Sequence, residues 1–146
     1  MQKAREKIRP PKGGQNLVKV LAICHLRSEL NSLTYKAAYT ILAFNKNKYK
    51  PKTNDALICE TAKWLSDQQE ASGGFAPWRS HPVGENVYCT SVALLALISM
   101  NDTAYREAIE RAYVYLCKTQ LKSGVWAYHE IEDGASWGLY ALSQAE

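Results

Sequence analysis

The segment Trp64-Leu65-Ser66-Asp67-Gln68-Gln69-Glu70-Ala71-Ser72-Gly73-Gly74-Phe75 recurs as Tyr115-Leu116-Cys117-Lys118-Thr119-Gln120-Leu121-Lys122-Ser123-Gly124-Val125-Trp126, at a constant offset of 51 residues. An aromatic, a Leu, a Gln, a Ser, a Gly and a closing aromatic fall at the same places in both copies. The stretches that follow also match, at an offset of 45: Ser91-Val92-Ala93-Leu94-Leu95-Ala96-Leu97 against Ser136-Trp137-Gly138-Leu139-Tyr140-Ala141-Leu142. A fainter third copy of this second pattern lies upstream, at Ala38-Tyr39-Thr40-Ile41-Leu42-Ala43-Phe44. Self-similarity at a fixed period marks one supersecondary unit copied and stacked, because a single unit cannot bury its own apolar face.

The unit is helical. Apolar residues recur at three- and four-residue spacing over Leu17–Arg27, Leu33–Phe44, Asp55–Gln69 and Ala104–Leu121. Near-continuous apolar runs fill Tyr88–Met100 and the stretch from Ala135 to the C-terminus. No segment alternates with period two for long enough to form a half-buried strand. The expected fold is therefore all-α, with six helices paired into about three stacked hairpins. In each pair the first helix is two-faced, with Glu60, Lys63 and Asp67 turned to solvent. The second is apolar nearly all round and belongs between layers. The glycine after Gln-x-x-Ser ends the first helix by permitting positive φ. Residues 1–15 are a basic arm closed by Pro10-Pro11-Lys12-Gly13-Gly14, and residues 16–146 form the repeat domain.

Composition narrows the class. The chain has 146 residues, of which 47% are hydrophobic, which argues against disorder. No apolar run approaches the ~20 residues of a membrane span, and a cytoplasmic location is expected. The four cysteines, Cys24, Cys59, Cys89 and Cys117, stand singly in apolar segments and are expected as buried thiols. Charge is split along the chain: residues 1–53 net +10 and residues 54–146 net −6. The basic half invites a nucleic-acid partner through Lys3, Arg5, Lys7, Arg9, Lys12, Lys46, Lys48, Lys50 and Lys52. Apart from Tyr49, however, it lacks the interleaved aromatics of such a surface, so nucleic acid is not the expected partner.

The paired motif, with Leu65, Gln69, Gly73 and Phe75 in one copy and Leu116, Gln120, Gly124 and Trp126 in the other, resembles the QW-type repeat. That repeat belongs to terpenoid cyclases such as squalene cyclases and to protein prenyltransferase β-subunits. The likeness covers residues 55–146 well and residues 16–54 faintly. It implies an α/α-toroid, an inner ring of helices inside an outer ring. A complete ring has about six hairpins, so three make a half or open toroid. Its open end implies self-association, a second protein subunit, or a chain cut from a longer protein.

The family's chemistry transfers only in part. The Asp-rich acid motif of the cyclases corresponds to Asn86-Val87-Tyr88-Cys89-Thr90-Ser91, without its acids, and to Ile131-Glu132-Asp133-Gly134-Ala135-Ser136, where Asp133 takes the middle place. Asp133 is thus a weak candidate general acid, flanked by Glu130 and Glu132. The resemblance also places Cys89 where prenyltransferases have a zinc cysteine. Val87 replaces the zinc Asp, Gly134 stands where the His would be, and only Glu85 or His129 could stand in, so no metal and no other cofactor are expected. The family's substrate cavity opens where inner helices begin, and aromatic faces there stabilise cations. Trp78, Arg79, Tyr88, Cys89 and Trp137 are the ligand-binding candidates, among the wider set Trp126, Tyr128 and Tyr140. The expected function is a non-catalytic repeat module binding a protein partner or an apolar, isoprenoid-like ligand. The alternatives are an enzyme of the cyclase or prenyltransferase type, active only as an assembled ring, and, more weakly, nucleic-acid binding through the basic half.

Overall fold

In a computed structural model, residues 33–46 and 55–145 are described. They belong to the compact unit Ser32–Glu146. The expected basic arm, the helix expected over Leu17–Arg27 and residues 47–54 lie outside the described residues. Five α-helices and no strand occur among the described residues: α1 (Thr34–Lys46), α2 (Asp55–Asp67), α3 (Val87–Met100), α4 (Arg106–Thr119) and α5 (Ile131–Ala145).

These helices form two layers. α3 packs against both α1 and α5, while α2 lies against α1 and α3, and α4 against α3 and α5. The inner three run the same way. Tyr35 near the start of α1 meets Tyr88 at the start of α3, with ring centroids 5.9 Å apart. At the far end Asn45 Nδ2 donates to Ser99 O of α3 at 3.1 Å. α3 is the centre: Val87 and every residue from Cys89 to Leu97 are buried. The outer helices are two-faced, as their periodicity requires. Ile58, Thr61, Ala62 and Leu65 are buried on α2, and Ala108, Ala112 and Leu116 on α4. Glu60, Lys63 and Asp67 are exposed. The Lys63–Asp67 pair at 2.8 Å is an exposed i,i+4 contact, screened by solvent.

The two repeat copies share one turn, bond for bond. Gln69 Nε2 donates to Gly73 O at 2.9 Å and Gln120 Nε2 to Gly124 O at 2.8 Å. Glu70 N donates to Gly74 O at 3.0 Å, and Leu121 N to Val125 O at 2.8 Å. Gly73 and Gly124 have φ of 93° and 86°, where a side chain would be strained. The closing aromatics, Phe75 and Trp126, are both buried under the turn. The Trp126 indole N–H donates to Leu116 O at 2.9 Å. The first turn is also fastened to the next outer helix. Gln69 Nε2 donates to Ala108 O at 2.8 Å, and Arg111 donates to Glu70 O at 2.7 Å. At Gly73 an added Cβ would stand 2.5 Å from Arg111 O, so close docking on α4 needs glycine there.

Several boundaries differ from the expected ones. α2 stops at Asp67 because Gln68 N and Gln69 N turn to Leu65 O and Ser66 O, tightening the chain into i→i+3 bonds. A 3-10 turn, Thr103–Tyr105, precedes α4, and its cap Asp102 accepts from Ala104 N at 2.9 Å. α5 begins at Ile131, four residues before its expected start. Gly134, which precedes that expected start, is buried inside the helix. An added Cβ there would lie 2.9 Å from Tyr128 Cβ and 3.0 Å from Val87 Cγ1. The expectation of buried thiols holds for Cys89 and fails for Cys59 and Cys117, which are exposed on the outer helices. Cys24 lies outside the described residues.

α5 leaves large apolar side chains exposed, beside polar ones such as Glu132, Ser136 and Ser143. Leu139 and Tyr140 are 54% and 43% exposed, whereas their repeat equivalents in α3, Leu94 and Leu95, are 0% and 6%. No helix among the described residues is long and apolar enough to cross a membrane.

The turn hydrogen bonds predict an asymmetry. Buried Gln69 serves two carbonyls and half-buried Gln120 one, and each buried acceptor left bare costs about 1–3 kcal/mol. Gln69→Ala should lower unfolding stability by about 2–3 kcal/mol and Gln120→Ala by about 1, measured by urea denaturation. Equal losses would contradict the inter-copy role of Gln69.

Candidate functional site

A cavity of about 890 Å³ opens where the inner helices begin, bounded by the two hairpin loops. α1 contributes Tyr35 and Tyr39, α3 contributes Tyr88 and Cys89, and α5 contributes Asp133 and Trp137. The loop 68–86 adds Pro77, His81, Val83, Glu85 and Asn86, and the loop 120–130 adds Ala127, Tyr128 and His129.

Each side chain is placed by local structure. Thr34 ties the start of α1 to the loop, its N–H donating to Pro77 O at 2.8 Å and its hydroxyl to Ala76 O at 2.6 Å. Asn86 caps α3, its side chain accepting from Cys89 N at 2.9 Å. That cap fixes Tyr88 and Cys89 in the first turn. Phe75 N donates to Thr90 Oγ1 at 2.9 Å, holding the loop onto the same helix. On α5, Gly134 lets the side chains of Tyr128 and Val87 come close.

Tyr88 is the hub of an aromatic cluster. Its ring meets Tyr35 at 5.9 Å, Trp137 at 6.0 Å and Tyr128 at 6.1 Å, the Trp137 contact being edge-to-face at 81°. Tyr39 meets Trp137 edge-to-face as well, at 5.9 Å and 70°. The hydroxyls of Tyr39 and Tyr88 share a hydrogen bond of 3.0 Å. Such ring pairs contribute about 0.5–1.5 kcal/mol each beyond their buried area. The repeat register explains the convergence: Tyr39 and Trp137 occupy the same position on α1 and α5, and they meet in front of α3.

The reactive groups are held in their neutral forms. Burial, then the hydrogen bond to Tyr39, pushes the Tyr88 hydroxyl well above its usual range. Burial also raises Tyr128, helped by the charges of Asp133 and Glu130. The Cys89 thiol is pushed up by burial, against the opposing effect of hydrogen bonds with Asn86 and Thr34. At neutral pH the site therefore presents phenols and a thiol, not phenolates or a thiolate nucleophile. Asp133 is exposed in the first turn of α5. Glu85 accepts from Ser72 Oγ at 2.6 Å. Among the described residues no group of three or more His, Cys, Asp and Glu is arranged to hold a metal ion.

Of the residues singled out in the sequence, Tyr88, Cys89, Asp133 and Trp137 come together in this cavity. Trp78 and Arg79 do not line it. Trp78 is 43% exposed and packs edge-on against His81, with centroids 4.0 Å apart. The Arg79 guanidinium turns back to donate to Asp67 O at 3.3 Å, at the end of α2. Tyr35 and Tyr39 escape the sequence reading. Their signal is an i,i+4 pair on the faintest copy, in register with Tyr88 and Trp137. The chain matches no protein-family model, no curated protein and no solved structure.

Tyr115 of α4 stands behind the site, where burial and the nearby Glu85 charge push its hydroxyl up to about 12. Its ordinary value, which applies to the unfolded chain, is 10.0. The folded state therefore holds the protonated phenol more firmly. That stability is complete below pH 10 and is lost as pH rises towards 12. Tyr115→Phe should flatten this part of the stability–pH curve, measured by urea unfolding across that range. An unchanged slope would contradict the burial of the hydroxyl.

Proposed function

We propose that the chain is a helical-repeat module of the terpenoid-cyclase and prenyltransferase type, whose aromatic cavity binds an apolar-bodied ligand without converting it. The observation that carries this reading is the convergence of five rings, from Tyr35, Tyr39, Tyr88, Tyr128 and Trp137, on one cavity at the start of the inner helices. The kinship is supported by the Gln–Gly turn, repeated with the same hydrogen bonds in both copies. A binding role is supported by the chemistry of the lining. Its thiol and the Tyr88 and Tyr128 phenols are held neutral, and its candidate acid is exposed. A prenyl diphosphate finds no charge partner in this lining, which has no Lys or Arg among the described residues.

Trp137 on the cavity wall provides the readout. Farnesol should change tryptophan fluorescence saturably, and farnesyl diphosphate should bind at least about tenfold more weakly, a difference of about 1.4 kcal/mol. Release of diphosphate or appearance of a cyclised product would overturn the non-catalytic reading. Absence of farnesol binding would overturn the ligand class.

A further inference from the structure

Among the described residues, the acidic and basic side chains that line the aromatic cavity have one sign. Glu85 and Asp133 line it, and Glu130 and Glu132 stand exposed beside Asp133 at the start of α5. Asp133 shares the cavity wall with Tyr128, whose side chain lies against the neighbouring Gly134. Helix dipoles oppose this sign. Three inner helices begin here, each N-terminus carrying roughly +0.5 charge, together about +1.5. Four carboxylates outweigh them, and the Asn86 side chain already satisfies the Cys89 N–H. An anion thus meets a net repulsive mouth, and a cation an attractive one.

The rings supply the rest of the recognition. Tyr88 with Trp137 and Tyr39 with Trp137 are set near-perpendicular, at 81° and 70°. Perpendicular neighbours make corners, where a rounded cation meets more than one electron-rich face. The same aromatic layer already accepts a cation from the chain itself. In the adjoining groove, also walled by Tyr39 and Trp137, Lys46 Nζ lies 5.9 Å from the centre of the Tyr140 ring.

From this geometry we infer that the cavity takes an organic cation, a quaternary or methylated ammonium group, against the corner formed by Tyr39, Tyr88 and Trp137, with Asp133 and Glu85 as counter-charges. The inference rests on the reading of this cavity as a ligand site and names the head group of an apolar-bodied ligand.

Choline and its uncharged isostere 3,3-dimethyl-1-butanol separate charge from shape. Titrated calorimetrically into the full chain, choline should bind about tenfold or more tightly than the alcohol, as expected when ring faces and carboxylates act together. Asp133→Asn should weaken choline several-fold and leave the alcohol unchanged, whereas Trp137→Leu should weaken both. Equal binding of the two probes by the unaltered chain would overturn the cation assignment and leave the apolar cavity standing. Farnesol binding without choline binding would have the same meaning. Failure of all three ligands to bind would overturn both readings.

Discussion

A helix with no polar side has to be covered on every side, and α3 sets that requirement for the whole unit. Its buried run from Cys89 to Leu97 leaves no face for solvent. α1 and α5 cover its flanks, and α2 and α4 close it from behind. The outer helices can then be narrowly amphipathic, with small residues such as Ala62, Ala108 and Ala112 at the contact. Close approach of backbones follows from those residues and from glycines that admit no Cβ. Gly138 is one, since an added Cβ would stand 2.7 Å from the Trp126 ring.

That packing also determines where chemistry can occur. Three helices running in one direction bring their first turns to one end, and two hairpin loops of unequal length close over them. The aromatic cavity is the space those loops leave. Its residues are held by the bonds that fix the fold: Thr34 to the loop carbonyls, Asn86 to Cys89 N, and Thr90 to Phe75 N. The pocket is thus a consequence of stacking, and its preorganisation lowers the cost of ordering side chains around a ligand.

Much of the helical layering is legible in the sequence because it is written as periodicity. The constant offset between the copies predicts the shared turn, and the all-apolar run predicts the burial of α3. What cannot be read is anything that depends on approach between distant segments. The second bond of Gln69, to Ala108 O, spans 39 residues and has no counterpart in the motif. Gly134 falls before the helix expected from Ala135, and the nearness of Tyr128 and Val87 that excludes a Cβ there spans distant segments. At the site, Tyr88 and Trp137 are visible because they sit on clear copies. Tyr35 and Tyr39 are not, since their copy is faint and their value lies in register with helices about 50 and 100 residues away. The place of Arg79 is not legible either, since its guanidinium donates to a carbonyl at the end of α2 and does not line the cavity.

The central claim is that α1, α3 and α5 stand side by side with their first turns together, so that rings remote in sequence form one wall. Assigned nuclear Overhauser spectra of the full chain test this most directly. Cross-peaks are predicted between the ring protons of Tyr39 and Trp137, whose centroids are 5.9 Å apart, and between those of Tyr88 and both Tyr35 and Trp137. A folded, assigned protein in which Tyr39 and Trp137 show no such contact would contradict the account.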